Sequence, residues 1–232
     1  MVSPLLESLN PTIGVYAKAD GIHLRLTANA ASEREASALI HPVEQQIRDL
    51  FGTAVWGADE DTLEGAVGEL LKARNLSVAV MESATGGLLA STLTDLAGAS
   101  DYFHGGLVTY SEETKIRYGV PAQTILEHGV VSEATAVAMA AAVRAELGAD
   151  IGIGITGVAG PDPHGGQPVG TIHIGVETPT GKSHTTYVFA QTREASKRRA
   201  VTTSLLLIRR AALGELQEKE QAFARSRQDT KR

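Results

Sequence analysis

The sequence predicts an α/β fold. An α/β domain with a mixed sheet is expected over residues 58–215, and a smaller α+β unit before it over residues 1–57. Three observations carry that prediction. LSVAVM (76–81) and ADIGIGITG (149–157) are continuous apolar runs of the kind a strand buried on both faces shows. Helical patterns opened by Ser, Thr or Asp alternate with these runs. VGTIHIGVET (169–178) and KSHTTYVFA (182–190), joined across PTGK, read as an antiparallel pair. Helices alternating with strands, then a hairpin, give a mixed sheet rather than a purely parallel one.

The elements follow in order. Residues 13–16 and 22–27, punctuated by Ala19, Asp20 and Gly21, read as a hairpin. Ser32 then opens SEREASALIHPVEQQIRDLF, with Glu35 three residues later as a capping box. Leu39, Ile40, Val43, Ile47 and Leu50 mark one face of that helix, and Pro42 predicts a kink or break in it. A short strand is expected around AVW (54–56). Asp61 or Thr62 caps the helix TLEGAVGELLKAR, which leads into LSVAVM. MESATGG (81–87) then feeds the helix LLASTLTDLAG (88–98). GGLVTY (105–110) is a further strand, and SEETKIRYG (111–119) a short polar helix. SEATAVAMAAAVRAEL (132–147) has a Ser132 cap and an Ala-rich face suited to close packing. Residues 193–213 form the last helix, basic on one side through Arg193, Lys197 and Arg198. The charged tail, 216–232, is expected to be disordered.

Composition bounds the function. The chain has 232 residues, 43% of them hydrophobic but only 4% aromatic, so the core must be built from Val, Ile, Leu and Ala. A net charge of −6 argues against nonspecific nucleic-acid binding. There is no cysteine, which excludes disulfides, a thiolate nucleophile and a Cys-type zinc site. The opening MVSPLLESLNPT lacks a basic region followed by an apolar one, and no stretch approaches the ~20 apolar residues of a membrane span. A cytoplasmic protein with no membrane partner is expected.

Two stretches draw chemical interest. MESATGG lies at a strand-to-helix junction, where unpaired first-turn N–H groups attract an anion or oxyanion. Gly86 and Gly87 let a ligand approach the backbone. Ser83 or Thr85 either caps the helix or takes part in chemistry, and different hydroxyls can do each. ITGVAGPDPHGG (155–166) follows a buried strand and is long for a plain connection. It is either a phosphate cradle or a wide structural turn. A serine nucleophile needs a base. Of the seven histidines, His164 in this loop has the most suggestive setting. Lys115, pushed toward neutrality by burial, is another option. Glu82 and Asp162 are carboxylates without a second ligand at metal spacing, so no metal and no cofactor are expected.

ESATGG, GGLVTYSEETK, HGVVSEATA, GITGVAGP and QPVGT occur in that order. Together they resemble the C-terminal domain of the competence/damage-inducible CinA family, over roughly residues 58–213. Residues 9–57 resemble the KH-like middle domain of the long CinA proteins. Those proteins also carry an N-terminal molybdopterin-binding-like domain, which this sequence lacks.

The resemblance implies an amidohydrolase that converts nicotinamide mononucleotide (NMN) to nicotinate mononucleotide and ammonia. It places the nucleophile on Ser83, the general base on Lys115 and Tyr110 beside it. Thr156, with Gly157 and Gly160 in the following loop, and Arg193 are expected at the substrate. Amides around Thr85, Gly86 and Gly87 are expected to serve the oxyanion. The 157–166 loop with Arg193 or Arg198 would hold the phosphate. Ala84 stands where the family usually has Cys, QTR stands where it has a glycine, an acid and an arginine, and the glycine-rich loop is shorter than usual. The alternative is a non-catalytic nucleotide-binding or regulatory module. RNA binding is not expected, because the GxxG in the first 75 residues, GAVG (65–68), falls inside a helix among acids. A homodimer or higher homo-oligomer is expected, both from the resemblance and from the Ala-rich face of 132–147.

Overall fold

The computed structural model describes residues 6–18, 20–189 and 192–216. The chain divides into two compact units, with the division between Asp61 and Thr62.

In the first unit, β1 (Thr12–Ala17) and β2 (Ile22–Thr27) form an antiparallel hairpin in which Thr12 faces Thr27. Helix α1 (Glu33–Phe51) follows. Ser32 Oγ accepts from the Glu35 amide, and the Glu35 carboxylate reaches back to the Ala31 amide, one residue earlier than a standard box. Of the kink or break expected at Pro42, the break does not occur, because the helix runs through it. The proline removes one backbone donor, and the turns after it are braced by i,i+4 pairs, Arg48 to Glu44 and Gln45 to Asp49. The AVW segment is not a strand either. Gly52–Ala54 form a single 3₁₀ turn after Gly52 takes a left-handed φ of 52°, and Trp56 meets the His23 ring edge-on with centroids 6.3 Å apart.

The second unit opens with α2 (Leu63–Arg74), capped by Thr62 rather than Asp61. β3 (Val78–Glu82), α3 (Leu88–Thr94) and β4 (Phe103–Val108) come next. α3 is shorter than its sequence suggests. Thr92 and Thr94 turn their hydroxyls back onto the carbonyls of Leu88 and Ala90, and Gly98 sits at a left-handed φ of 81°. α4 (Glu112–Arg117), α5 (Ala122–His128) and α6 (Glu133–Leu147) lead to β5 (Ile151–Gly157). β6 (Thr171–Thr178), β7 (Gly181–Val188) and α7 (Arg193–Ala212) complete the unit.

The sheet has the order β4-β3-β5-β6-β7. β3 runs parallel to both β4 and β5, whereas β5, β6 and β7 are antiparallel neighbours. α6 packs against β5, β6 and β3, while α2, α3 and α7 pack with one another, and α7 also contacts β5 and β6. Val78, Val80, Ile153, Ile155, Ile172, Ile174 and Val176 are fully buried. Among the described residues no helix is long and apolar enough to cross a membrane.

Glycines set how closely α6 approaches. A β-carbon on Gly152 would strike the Ala140 carbonyl, one on Gly154 the Ala136 carbonyl, and one on Gly175 would lie 2.5 Å from Ala136. The helix therefore lies almost backbone to backbone on β5 and β6. Its buried residues, Thr135, Ala136, Met139, Ala140 and Val143, face this sheet. The Ala-rich face is thus occupied within the subunit, and the argument from that face to a homodimer does not hold.

Candidate active site

β3 ends at Glu82, and the chain turns sharply before α3. The Glu82 side chain, 1% exposed, folds over this turn. Its Oε2 accepts from the amides of Gly87 (3.0 Å) and Leu89 (3.1 Å), and its Oε1 from that of Ala90 (2.8 Å). This carboxylate caps α3. Neither Ser83 nor Thr85 does, and no side-chain cap bond comes from the Gly87 N-cap position. Glu82 is not a metal ligand in this arrangement, and among the described residues no group of three or more His, Cys, Asp or Glu could hold a metal ion.

With the cap supplied by Glu82, Ser83 is left for other work. Its amide donates to the Ile155 carbonyl of β5 at 2.9 Å, which pins the start of the turn to the neighbouring strand. Parallel pairing of β3 with β4 brings the chain back to the same sheet end, and Thr109 continues that ladder by donating to the Glu82 carbonyl at 2.8 Å. Ser111 caps α4, and the helix aims Lys115 back at the turn.

Lys115 is 1% exposed. Its Nζ donates to Ser83 Oγ at 3.1 Å, to the Thr109 carbonyl at 2.8 Å and to the Tyr110 carbonyl at 3.3 Å. Burial pushes its pKa down to about 8, against the opposing attraction of Glu112. A neutral amine has two N–H groups and one lone pair. The two carbonyls take the N–H groups, so the lone pair of the neutral form faces the serine hydroxyl and can accept its proton.

A pocket of about 240 Å³ opens over this pair. Ser83, Tyr110, Lys115, Thr156, Gly157, Gly160 and Arg193 all line it. Thr156 donates its hydroxyl to the Val130 carbonyl at 2.9 Å, tying the end of β5 to the segment that precedes α6. Arg193 donates from Nη1 to the Gly160 carbonyl at 2.7 Å and from Nη2 to the Tyr110 hydroxyl at 3.2 Å. It thereby links the glycine-rich loop to the tyrosine across the pocket mouth. Arg198, in contrast, is held by Glu194 through Nε at 3.1 Å and Nη2 at 3.0 Å.

Thr85, Gly86 and Gly87 do not line the pocket. Thr85 is fully buried, the Gly87 amide is bound by Glu82, and the Gly86 amide donates to the Ser83 carbonyl at 3.1 Å. The expected oxyanion amides of Gly86 and Gly87 are therefore engaged elsewhere. Sequence reasoning missed Ala84, Val130, Val131, Val158 and Ala159 as pocket walls. For Val130 and Val131 the available signal was their place immediately before the Ser132 cap. Asp162 and His164 also face the pocket from the glycine-rich loop.

The CinA C-terminal domain model matches residues 60–212, and the damage-inducible protein CinA KH domain model matches residues 1–57. The chain belongs to the CinA family. A CinA-like protein of Frankia casuarinae is 44% identical over 206 residues, covering 88% of this chain and 48% of that protein. One from Synechocystis is 44% identical over 197 residues, covering 83% and 47%. This CinA chain spans about half the length of the curated relatives it matches. The crystal structure of a CinA superfamily protein from Klebsiella pneumoniae superposes with a TM-score of 0.63 at 31% identity, covering 66% of this chain and 96% of that one. The shared part is thus the length of one CinA domain.

Proposed function

We propose that the second unit is an amidohydrolase that converts NMN to nicotinate mononucleotide and ammonia, with Ser83 as nucleophile and Lys115 as general base. The observation that carries this reading is the buried lysine whose Nζ lies 3.1 Å from the Ser83 hydroxyl. Burying an ammonium costs far more than leaving it in water, and among the described residues no carboxylate lies within ion-pair distance of this one. A site that tolerates such a group gains a base near neutral pH.

In this mechanism Ser83 Oγ attacks the carboxamide carbon while its proton passes to Lys115 Nζ. The tetrahedral intermediate collapses as Lys115 returns the proton to the amine, and ammonia leaves. Water then attacks the acyl-serine, giving up a proton to Lys115, and nicotinate mononucleotide is released with Ser83 restored. Since the Gly86 and Gly87 amides are engaged, stabilisation of the oxyanion falls to the turn amide of Ala84, which lies in the pocket wall beside Ser83. Tyr110, held by Arg193, closes the mouth, and its carbonyl orients Lys115.

The test is direct. The full chain incubated with NMN should release ammonia and nicotinate mononucleotide in equal amounts, and Ser83→Ala should release neither while still binding NMN. An active Ser83→Ala protein would overturn the nucleophile assignment. An inactive wild type that binds NMN would favour the nucleotide-binding module.

A further inference from the structure

Beside the pocket, a chain of hydrogen bonds links β6, β7 and the start of α6. His173 Nδ1 lies 2.8 Å from Thr186 Oγ1, and Thr186 Oγ1 donates to Glu133 Oε1 at 2.9 Å. The other oxygen of that carboxylate, Oε2, lies 3.0 Å from His184 Nε2. A carboxylate only accepts, so the single hydroxyl hydrogen of Thr186 goes to Glu133. Thr186 must then accept from His173, which fixes the proton of the neutral imidazole on Nδ1. His173 Nε2 is left as a bare acceptor, buried and without a partner among the described residues. His173 is 5% exposed, whereas His184 and Glu133 are open to solvent.

This chain bears on the pocket through α6. His173 faces Thr156 in the β5–β6 register, and facing residues of an antiparallel pair share a side of the sheet. Thr156 lines the pocket and holds the Val130 carbonyl. Glu133 opens α6 two residues after Val131, itself a pocket wall. The start of α6 is thus held twice, at Val130 from β5 and at Glu133 from β7, with His173 on the strand between. The charged or titratable groups that face His173 are Glu133 from α6 and His184 from β7, and β5 carries none. α7 meets the opposite face, where its Arg199 acts on Tyr187, the neighbour of Thr186 along β7.

Burial holds the His173 pKa below the ordinary imidazole value, against the attraction of Glu133 and with the repulsion of His184. The protonated form is therefore penalised in the folded chain. The arrangement is complete above the ordinary value of ~6.5 and is lost as pH falls through the lowered one. A proton on Nε2 makes a buried donor with nothing to receive it, and the ring reaches water only by leaving Thr186.

We infer that His173 is a positioning residue: its uncharged ring, through Thr186 and Glu133, fastens the start of α6 and the Val130–Val131 wall, and protonation at Nε2 releases them. The consequence for turnover rests on the carboxamide hydrolysis proposed above, whereas the fastening itself does not.

Three measurements on the full chain test it. Long-range proton–nitrogen correlation spectra at pH 7 should show His173 protonated at Nδ1 alone. Hydrogen exchange of the Thr135 and Ala136 amides, which Ser132 holds, should quicken roughly fivefold in Thr186→Val and stay near wild type in Thr186→Ser. Corrected for the intrinsic rate, it should also quicken in wild type on going from pH 6 to pH 5. It should not do so in His173→Asn, whose amide keeps a donor for Thr186 but does not titrate. In turnover at pH 7, Thr186→Val should raise KM for NMN by a similar factor with kcat nearly kept. An Nε2–H tautomer, or α6 protection indifferent to both Thr186→Val and acid, overturns the inference. So does an unaltered KM in an active Thr186→Val enzyme. A merely structural staple gives His173→Asn the same acid response as wild type, and that result overturns it too. Protection that follows the expected pattern in a chain that hydrolyses no NMN upholds the fastening and overturns the amidase reading instead.

Discussion

The pH dependence of turnover follows from the Lys115 environment. With its pKa pushed down to about 8, about one Lys115 in ten is neutral at pH 7, against about one in three thousand for a lysine at 10.5. Only the neutral amine can take the Ser83 proton. kcat/KM for NMN should therefore rise about tenfold from pH 6 to pH 7, and about tenfold again from pH 7 to a plateau near pH 9. Lys115→Arg keeps the charge but does not deprotonate in a protein, so kcat should fall by about 10² to 10⁴ with no recovery at high pH. Stability should also rise with pH, but at higher pH than turnover. A folded-state pKa below the unfolded value penalises the protonated form, so the fold is weakened at every pH below about 8 and recovers as pH rises from about 8 to 10.5. The penalty is at most on the order of 3 kcal/mol. Lys115→Met removes it and leaves two carbonyls without their donor, at about 1 kcal/mol each. The variant should then be inactive yet melt no lower than wild type at pH 7. The assay is chromatographic separation of NMN and nicotinate mononucleotide from pH 6 to 10, beside melting scans. A flat kcat/KM profile, or a Lys115→Arg enzyme with wild-type kcat, would refute the reasoning.

Three further outcomes follow from the same contacts. Ser83→Ala should abolish NMN turnover while changing unfolding free energy by less than about 1 kcal/mol, because Glu82 caps α3; a large loss in a denaturant titration would assign the cap to Ser83 after all. Glu82→Ala should cost roughly 2–4 kcal/mol, since three amides lose their acceptor, and a near-neutral urea midpoint would contradict the capping role. Gly154→Ala should destabilise by about 3 kcal/mol or more, because its new carbon meets the Ala136 carbonyl, and a wild-type melting temperature would show that α6 can shift outward.

Much of this was legible in the sequence because it depends on local pattern. The apolar runs at 76–81 and 149–157 announced buried strands, and Thr62, Ser111 and Ser132 announced the helices they cap. The approach of Lys115 to Ser83 across 32 residues was foreseeable from topology, since a strand and a helix between them return the chain to the same sheet end. What escaped was set by tertiary context. No pattern tells a reader that Glu82 folds forward over its own helix, a bond that exists only once the chain has turned. The helix at 122–128 was missed although Pro121 before it and Gly129 after it are its proper boundary residues. The AVW segment has strand composition but finds no neighbouring strand to pair with, and the penalty of Pro42 is absorbed by a helix long enough to lose one bond.

The glycine contacts under α6 divide the pocket into a hard wall and a soft one. Val130 and Val131 immediately precede a helix that cannot sink closer to the sheet, and Thr156 clamps them from the strand below. That side acts as a fixed template for whatever ring lies against it. Facing it, the loop is paired to the strand side through Val158, which bonds Thr171 and Gly170; beyond that, Arg193 holds Gly160, and the His164–Gln167 bridge only closes the loop on itself. A chemist seeking to widen the range of accepted amides should therefore leave the valines alone and randomise the loop, where changes of length and side chain alter the cavity without disturbing the seat of the helix.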